Sequence, residues 1–438
     1  MGRVSRGVLF LWLAAVPLAG GQGSEGTALS LSLDKAVERA VEQSLSLQIS
    51  EIDLLSAQRE AANLWAQFLP SLSVGGGVSY STSLLSQSRA AAQSDPLSYS
   101  LNFSASLRLN ERLFTTMKQS KLLYQSRLFS YEQARQQIEI QTARSYYSLL
   151  AEGANLSILE EVLRLAELEL EKNRISFENG YVGQLAYLQS QLSAESAKLS
   201  LRRARTAYEA GLGEFLVLLG LEQDIGVELT GEMAVTALDA DAEALIQEYL
   251  PKRPDVVIQR QRIAQAENTQ TQTFLSSRGP SISLSASYAG AYSRTMTDNL
   301  TGSIDVTIPL DGWVPLSLKD QALSSARAEL EKARLELRNI ENTARAGIRS
   351  LAANLRNSWA GIEIARLRVE IAERTYELTE IGFQNGTVEL LALEDARNNM
   401  AEARQQLLSD ELAYKTMTLD LAAALNADWR ALSGGVVP

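Results

Sequence analysis

The sequence of 438 residues contains no histidine and no cysteine, and only 9 of its residues are proline. The chain therefore lacks the commonest general base, the commonest metal ligand and the thiolate nucleophile, which argues against an enzyme. Catalysis by carboxylates or by a Ser/Lys pair stays open. The formal net charge of −11 disfavours a nucleic-acid partner, because phosphate binding needs a basic face. The scarcity of proline indicates long uninterrupted elements.

Long apolar runs are also lacking, and the most apolar stretch lies at the N-terminus. Arg3 and Arg6 precede an apolar run from Val8 to Ala19, and small residues follow. This run is too short for a membrane-spanning helix, so residues 1–23 are predicted to be a secretory signal peptide. A short membrane anchor is the alternative. No later run approaches the ~20 residues of a membrane helix, so a mature chain inside a membrane would have to form a β-barrel.

Two copies of one sequence plan follow each other along the chain. Gly180 and Gly386 each lie in an Asn-Gly pair, and a constant offset of 206 residues relates their surroundings. Seven of the eighteen residues in 174–191 recur in 380–397, namely Ile175, Phe177, Asn179, Gly180, Val182, Leu185 and Ala186 as Ile381, Phe383, Asn385, Gly386, Val388, Leu391 and Ala392. Chance similarity between amphipathic helices is the alternative. Residues 24–228 and 229–438 are therefore predicted to be tandem copies of one structural unit.

Most of each copy favours long helices. From Lys319 to Leu425 there is no proline, and apolar residues recur at steps of three and four, close to a coiled-coil repeat. Glu111 to Gly180 is similar, with a weak point at 152–155. A helix of about 65 residues would be about 100 Å long, which suits a rod or a tube better than a compact domain. The Asn-Gly pairs near 180 and 386 predict the turns of two antiparallel helical hairpins.

Four segments instead alternate apolar and small polar residues with a period of two. They lie at about 70–82, 99–110, 280–293 and 301–310, and each has about the length of a tilted transmembrane strand. The polar partners are mostly Ser, Gly, Thr and Asn, which suit a barrel lumen; a soluble four-stranded sheet is the alternative. Four strands cannot close a barrel, and open edges are not tolerated in lipid. A membrane location would therefore require several chains to share one barrel.

Taken in this order, the motifs resemble the outer-membrane efflux protein family, the TolC-like ducts, over essentially the whole mature chain. The resemblance is carried by LSLDKAVERAVEQSLSLQI (31–49), FLPSLSVGGGVSYS (68–81), KRPDVV (252–257) and VTIPLDG (306–312). It implies a mainly α-helical homotrimer with a shared twelve-stranded outer-membrane barrel and a helical tunnel in the periplasm. A belt from about 222–248 plus the C-terminal tail would surround the tunnel. A periplasmic adaptor (membrane fusion) protein and an inner-membrane transporter would be its partners, and no cofactor is implied.

The same resemblance assigns candidate sites at the hairpin turns. Adaptor contact is expected at residues that match the family's tip motif: Asn179, Gly180, Tyr181, Val182, Asn385, Gly386, Thr387 and Val388. Turn chemistry alone is the alternative, and both can hold together. Family members close the tunnel with aspartates six and nine positions after the second tip glycine. Asp395 matches the ninth position and is predicted to form an acidic gate ring, whereas Ala392 departs at the sixth. An ordinary solvated helix carboxylate is the alternative for Asp395.

The function implied is that of a passive exit duct of a tripartite efflux or type I secretion system. A periplasmic coiled-coil structural protein would share the signal peptide, the helices and the duplication, but it would have no need for four charge-poor strands. An exported hydrolase lacks a supporting constellation, since the sequence contains no Gly-x-Ser-x-Gly motif. The exported substrate is not indicated by any motif.

Overall fold

A computed structural model describes residues 29–80, 97–110, 112–222, 226–238, 241–292 and 296–430. The predicted signal peptide and the C-terminal tail from 431 lie outside these described residues. The elements are β1 Leu29–Leu31, α1 Leu33–Gln43, α2 Leu45–Ala62, β2 Ser71–Tyr80, β3 Leu97–Asn110, α3 Arg112–Glu178, α4 Gln184–Leu218, β4 Val227–Leu229, α5 Ala242–Tyr249, α6 Pro254–Arg278, β5 Ser281–Tyr292, β6 Met296–Thr307, α7 Leu318–Gln384 and α8 Leu390–Leu425. Among the described helices, none is both long and apolar enough to cross a membrane.

Two long helical hairpins dominate the fold, as the sequence predicts. Helices α3 and α7 have 67 residues each, and they turn back into α4 and α8, with 35 and 36 residues. The expected weak point at 152–155 is wrong, because α3 runs through it without interruption. Gly153 lies beside the Tyr208 ring of α4, and packing of this kind outweighs the ~1 kcal/mol that one glycine costs a helix relative to alanine.

The helices pack side by side in one layer whose order changes along its length. Towards the turns the order is α4, α3, α8 and α7; towards the sheet it is α2, α3, α6 and α7. The main core lies near the middle of the layer, where Ile348, Leu355, Tyr414 and Leu421 are buried together with Tyr249 of α5. Burial of these large side chains supplies the main driving force that holds the two hairpins together.

The segment between the two repeats is tied to the middle of the long helices. Strand β1 pairs in parallel with β4. The buried Tyr146 hydroxyl of α3 lies 2.7 Å from the Thr230 carbonyl oxygen. On the other side Tyr414 accepts a hydrogen bond from the Leu238 amide at 2.9 Å, and Lys415 donates to the Ala234 carbonyl at 3.0 Å. The chain from 226 to 238 is thereby held across both hairpins, within the predicted belt region.

The four longer strands form one antiparallel sheet in the order β2–β3–β5–β6. Its register puts Val74, Phe103, Tyr288 and Leu300 on one apolar face. The opposite face is rich in serine, and its hydroxyls pair across strands: Ser71 with Ser106 at 2.7 Å, Ser73 with Ser104 at 2.6 Å, Ser79 with Ser98 at 2.7 Å and Ser285 with Ser303 at 2.8 Å. Within the part of the chain that the structure describes, the outer sides of β2 and β6 are unpaired.

The strand bounds differ from the prediction mainly in β6. The sequence predicts a strand at about 301–310, but β6 begins at Met296 and ends at Thr307. Strand β6 begins early because β5 pairs with it as far as Tyr292 opposite Met296. Residues 297–299 are polar, so the alternation of apolar and polar residues does not predict this part of the strand. The early end is consistent with Pro309, which has no amide hydrogen for a ladder. Strand β3 likewise begins at Leu97, two residues before its predicted start.

Candidate functional site

The turn of the first hairpin is a compact helix C-cap. Gly180 has a φ of +77°, a left-handed conformation that favours glycine. Its amide donates to the Phe177 carbonyl at 3.0 Å, and the Tyr181 amide donates to the Ser176 carbonyl at 2.8 Å. This pair of bonds is the Schellman motif, which satisfies the last carbonyls of a helix. The Tyr181 side chain, 84% exposed, projects from the turn; Asn179 is also exposed, and Val182 is half-buried.

The turn of the second hairpin repeats this geometry. Gly386 has a φ of +71°; its amide donates to the Phe383 carbonyl at 3.0 Å, and the Thr387 amide donates to the Gly382 carbonyl at 2.9 Å. The Thr387 hydroxyl adds a bond to the same Gly382 oxygen at 3.0 Å. Val388 is half-buried, and the rest of the turn is exposed. Both sets of predicted tip residues therefore lie at the ends of the hairpins, and turn chemistry explains their backbone.

The predicted gate residue lies near the second turn. Asp395 is exposed in the second turn of α8, and Ala392, three residues earlier, is exposed too. Gln189, at the equivalent position of α4, is also exposed. A ring of Asp395 side chains needs copies of the chain, so this role stays a prediction.

Beside Asp395 the structure contains a buried ion pair between the hairpins that the sequence analysis does not predict. Arg397 of α8 donates to the Glu169 carboxylate of α3 at 2.7 Å and to the Ser193 hydroxyl of α4 at 2.6 Å. The side chains of Arg397 and Glu169 are only 3% and 9% exposed. This charge-assisted pair links three helices, and Glu169 lies nine residues before the last residue of α3. We call Glu169, Ser193, Glu394 and Arg397 the interhairpin cluster.

The interhairpin cluster carries more negative charge than its one guanidinium compensates. The pKa of Glu169 is raised to about 7, chiefly by burial; Arg397 opposes this shift and the neighbouring Glu394 adds to it. Burial also raises the pKa of Glu394. Within the described part of the chain, one carboxylate oxygen of Glu169, one of Glu394 and the Arg397 Nε have no hydrogen-bond partner. A proton held by one carboxyl group would supply the missing donor.

The signal for this cluster exists in the sequence once the repeat offset of 206 is applied. Arg397 is equivalent to Gln191 of the first hairpin, and Glu169 to Thr375 of the second. Each charge therefore stands where the other copy has a neutral residue. Without the structure, nothing indicates that these two unmatched charges meet, because 228 positions separate them.

Two apolar stripes remain uncovered at the outer sides of the helical layer. On α4 the exposed leucines are spaced by three, four and seven residues: Leu185, Leu188, Leu192 and Leu199. On α7 the exposed residues follow the steps three, four, seven and three: Ile364, Leu367, Ile371, Leu378 and Ile381. This spacing is that of a coiled-coil seam. We call these stripes the α4 seam and the α7 seam.

Comparison with known proteins agrees with this architecture. The model of the family "outer membrane efflux protein" matches residues 36–220 and 245–427. The probable efflux pump outer membrane protein TtgC of Pseudomonas putida is 23% identical over 422 residues, covering 92% of this chain and 85% of the relative. The antibiotic efflux pump outer membrane protein ArpC of Pseudomonas putida matches to the same extent. These relatives are efflux proteins and not enzymes.

Solved structures share the fold. The CmeC outer membrane channel of Campylobacter jejuni superposes with a TM-score of 0.76 at 17% identity, covering 97% of this chain and 94% of the channel. The MtrE outer membrane channel of Neisseria gonorrhoeae gives a TM-score of 0.74 at 17% identity, covering 95% and 96%. The long hairpins, the four-stranded sheet and the matches of the family model to both repeats lead to one conclusion. This chain belongs to the outer membrane efflux protein family.

Proposed function

We propose that this chain is the exit duct of a tripartite efflux or type I secretion system, acting as a homotrimer in the outer membrane with its helices in the periplasm. One observation carries the proposal. In a single chain, the sheet and the helical layer each end, on both sides, in a surface that has no partner among the described residues. The sheet ends in two unpaired edges, and the helical layer ends in two apolar seams. Such a protomer is completed by copies of itself arranged in a ring.

The sheet supports a ring in a membrane. Its apolar face is exposed, with Leu72, Leu300 and Ile304 each more than two-thirds accessible. In lipid such a face is favourable, but the unpaired backbone groups of β2 and β6 are not. Pairing β6 of one copy with β2 of the next satisfies them. Three copies supply twelve strands, and the family resemblance sets the number at three.

The helices support the same ring. The α4 seam of one copy faces outward on one side and the α7 seam on the other. Packing α4 of one copy against α7 of the next buries both seams in a head-to-tail contact, and head-to-tail contacts close rings. The two hairpins of each copy then become six hairpins around one tunnel.

The hairpin ends are the proposed contacts with the periplasmic adaptor, through Asn179, Gly180, Tyr181, Val182, Asn385, Gly386, Thr387 and Val388. Asp395 is the proposed gate residue, one carboxylate per copy facing the tunnel axis. Because Ala392 provides no second carboxylate, this gate has one acidic ring and closes less tightly. Substrates pass without chemistry of the duct's own, and the inner-membrane transporter supplies the energy.

Disulfide cross-linking between copies tests the ring directly, because the natural chain has no cysteine. Leu188 of the α4 seam lies eight residues after Gly180, and Leu378 of the α7 seam lies eight residues before Gly386, so they stand at the same height above the turns. The Leu188→Cys, Leu378→Cys double variant should give covalent trimers in isolated outer membranes after oxidation. Each single variant is the matched control and should stay monomeric in denaturing gels.

A second measurement addresses the membrane. The protein should fractionate with outer membranes as a detergent-resistant oligomer and open conducting pores in planar lipid bilayers. Deletion of the gene should raise sensitivity to toxic compounds. Recovery of a soluble monomer would overturn the proposal in favour of the periplasmic coiled-coil alternative.

A further inference from the structure

A short apolar loop joins β6 to α7 and is exposed along most of its length. Six of its large apolar side chains are accessible to solvent: Ile308, Leu310, Trp313, Val314, Leu316 and Leu318. The loop lies where the sheet ends and the helices begin. Exposed apolar residues scattered singly need no explanation, but a contiguous group of this size marks an interaction surface. We call residues 308–318 the junction loop.

The junction loop is held in a fixed conformation. Arg278, at the end of α6, donates to the Gly312 carbonyl at 2.9 Å, and its guanidinium lies 4.9 Å from the centre of the Trp313 ring. The same guanidinium contacts Asp320 at 3.3 Å, and Asp320 in turn accepts a bond from the Leu316 amide. A side chain at Gly312 would come within 1.8 Å of the α6 backbone. The exposed side chains therefore project from a loop whose backbone is fixed by these contacts.

Leu316 gives independent evidence that the display matters. Its φ is +65°, a conformation that leucine rarely adopts. Its residue surface is nevertheless 88% exposed, so packing against the other described residues does little to compensate for the strain. Backbone strain of this kind clusters at functional sites.

The charges next to the loop are already paired. Lys319 contacts Asp311 at 2.7 Å, and Arg278 contacts Asp320. The junction loop can therefore enter a medium of low polarity without leaving these four charges uncompensated.

We propose that the junction loop inserts into the interfacial region of a phospholipid leaflet, between the headgroups and the acyl chains, and anchors the protein at that depth. The proposal rests on the proposed function. Ile308 directly follows β6, whose apolar face carries Ile304 and Val306, so the junction loop adjoins the face assigned to lipid. Tryptophan is the side chain that membrane interfaces favour most, and Trp313 lies at the required boundary.

Quenching of tryptophan fluorescence by brominated lipids tests the depth. The purified full-length oligomer is reconstituted in phosphatidylcholine vesicles whose acyl chains are brominated either near the headgroup or near the chain end. The wild type is compared with Trp313→Phe and with Trp359→Phe, a matched control in the helical region. The comparison is made in a Trp65→Phe background, because Trp65 is 61% exposed just before β2 and would also be quenched at that boundary. Quenching by the headgroup-proximal bromine should then be lost in Trp313→Phe and retained in Trp359→Phe, and the chain-end bromine should quench Trp313 less.

A second variant separates anchoring from folding. Asparagine tolerates a positive φ, so Leu316→Asn should keep or raise the melting temperature in detergent while weakening the quenching of Trp313 and shifting its emission to longer wavelength. If Trp313 is unquenched in vesicles that carry the protein, the inference is wrong. Quenching by iodide would then show a loop in water, and protection from iodide a loop covered by a neighbouring copy. Vesicles that float without protein would overturn the proposed function as well.

Discussion

The two helical hairpins have nearly the same backbone but carry buried charges at different positions. Both begin with a 67-residue helix, and both turn through a glycine with the same pair of C-cap hydrogen bonds. Yet Arg397 belongs to the second hairpin alone and Glu169 to the first alone, and these two side chains meet. The comparison teaches that the copies keep the geometry of one unit while they divide complementary side chains between them. The halves are therefore partners and not interchangeable.

The strongest way to break this comparison is to remove the cation of the interhairpin cluster. Arg397→Met should lower the free energy of unfolding in detergent by about 3–5 kcal/mol, because Glu169 is left buried without its partner. Gln191→Met, at the equivalent exposed position of the other hairpin, should change it by less than about 0.5 kcal/mol. The measurement is the midpoint of denaturant unfolding followed by circular dichroism.

The double variant Glu169→Met, Arg397→Met completes this test. Replacing a whole buried ion pair by apolar side chains is often neutral, so most of the loss should be recovered. Equal losses in Arg397→Met and Gln191→Met would show that the two hairpins are equivalent after all.

The second-largest effect is expected from a change of pH, which acts through the Glu169 carboxylate of the first hairpin. The folded protein holds a proton on Glu169 up to about pH 7, whereas an unfolded chain releases it near the ordinary value of 4.5. The unfolded state therefore binds fewer protons between these values, and the free energy of unfolding should fall as the pH rises from about 5 to 7.5, by on the order of 1–3 kcal/mol.

Two variants identify the group responsible for this pH dependence. Glu169→Gln should flatten the dependence over that interval. Glu171→Gln is the matched control: Arg174 lowers the pKa of Glu171, so this exposed carboxylate is already ionised throughout the interval. A slope that persists in Glu169→Gln would assign it to another group.

Equivalent substitutions in the two turns, unlike those in the interhairpin cluster, should lower the stability by equal amounts. Gly180→Ala and Gly386→Ala should each cost about 1 kcal/mol, because both place a side chain at positive φ and neither new methyl group meets an atom within 4 Å. Gly213→Ala, inside α4 and equally free of neighbours, should instead stabilise the protein by up to about 1 kcal/mol. Unequal losses at the two turns, measured as denaturation midpoints, would point to contacts that only one turn makes.

The smallest effect on stability is expected at Asp395. Asp395→Asn should leave the free energy of unfolding unchanged. It should raise, on the order of tenfold, the concentration of the trivalent cobalt hexammine cation needed to block conductance in planar bilayers, because converging carboxylates are lost. Gln189→Asn, at the equivalent position of the first hairpin, should not alter the block. If cation block is the same in both variants, Asp395 is an ordinary solvated carboxylate.

Much of this fold could be predicted from the sequence because its signals are local. The steps of three and four from Leu330 to Ile362 determine a long helix, and the alternation at 71–80 determines a strand. The start of β6 at Met296 has no local sequence signal, because it depends on β5 pairing as far as Tyr292. The continuity of α3 through Gly153 likewise depends on Tyr208, more than fifty residues away.

The candidate site was harder to predict from the sequence for the same reason. A C-cap can be recognised from Asn-Gly alone, so the turns were predicted correctly in place. The pairing of Arg397 with Glu169 depends on how one hairpin lies on the other, which neither segment encodes by itself. Asp395 depends on a further level, the arrangement of several chains, and stays a prediction.

The serine pairs on the sheet bear on what a passing molecule would encounter. A hydroxyl that already donates to its neighbour across the strand has less hydrogen-bonding capacity to offer a solute. In the proposed ring, the surface around the outer part of the passage would be wet and, apart from charged side chains such as Asp305 beside Ser303, would offer little to retain a cargo. Discrimination would then fall to the hairpin ends and to the proteins that dock there, and one duct could serve several transporters without being altered for each.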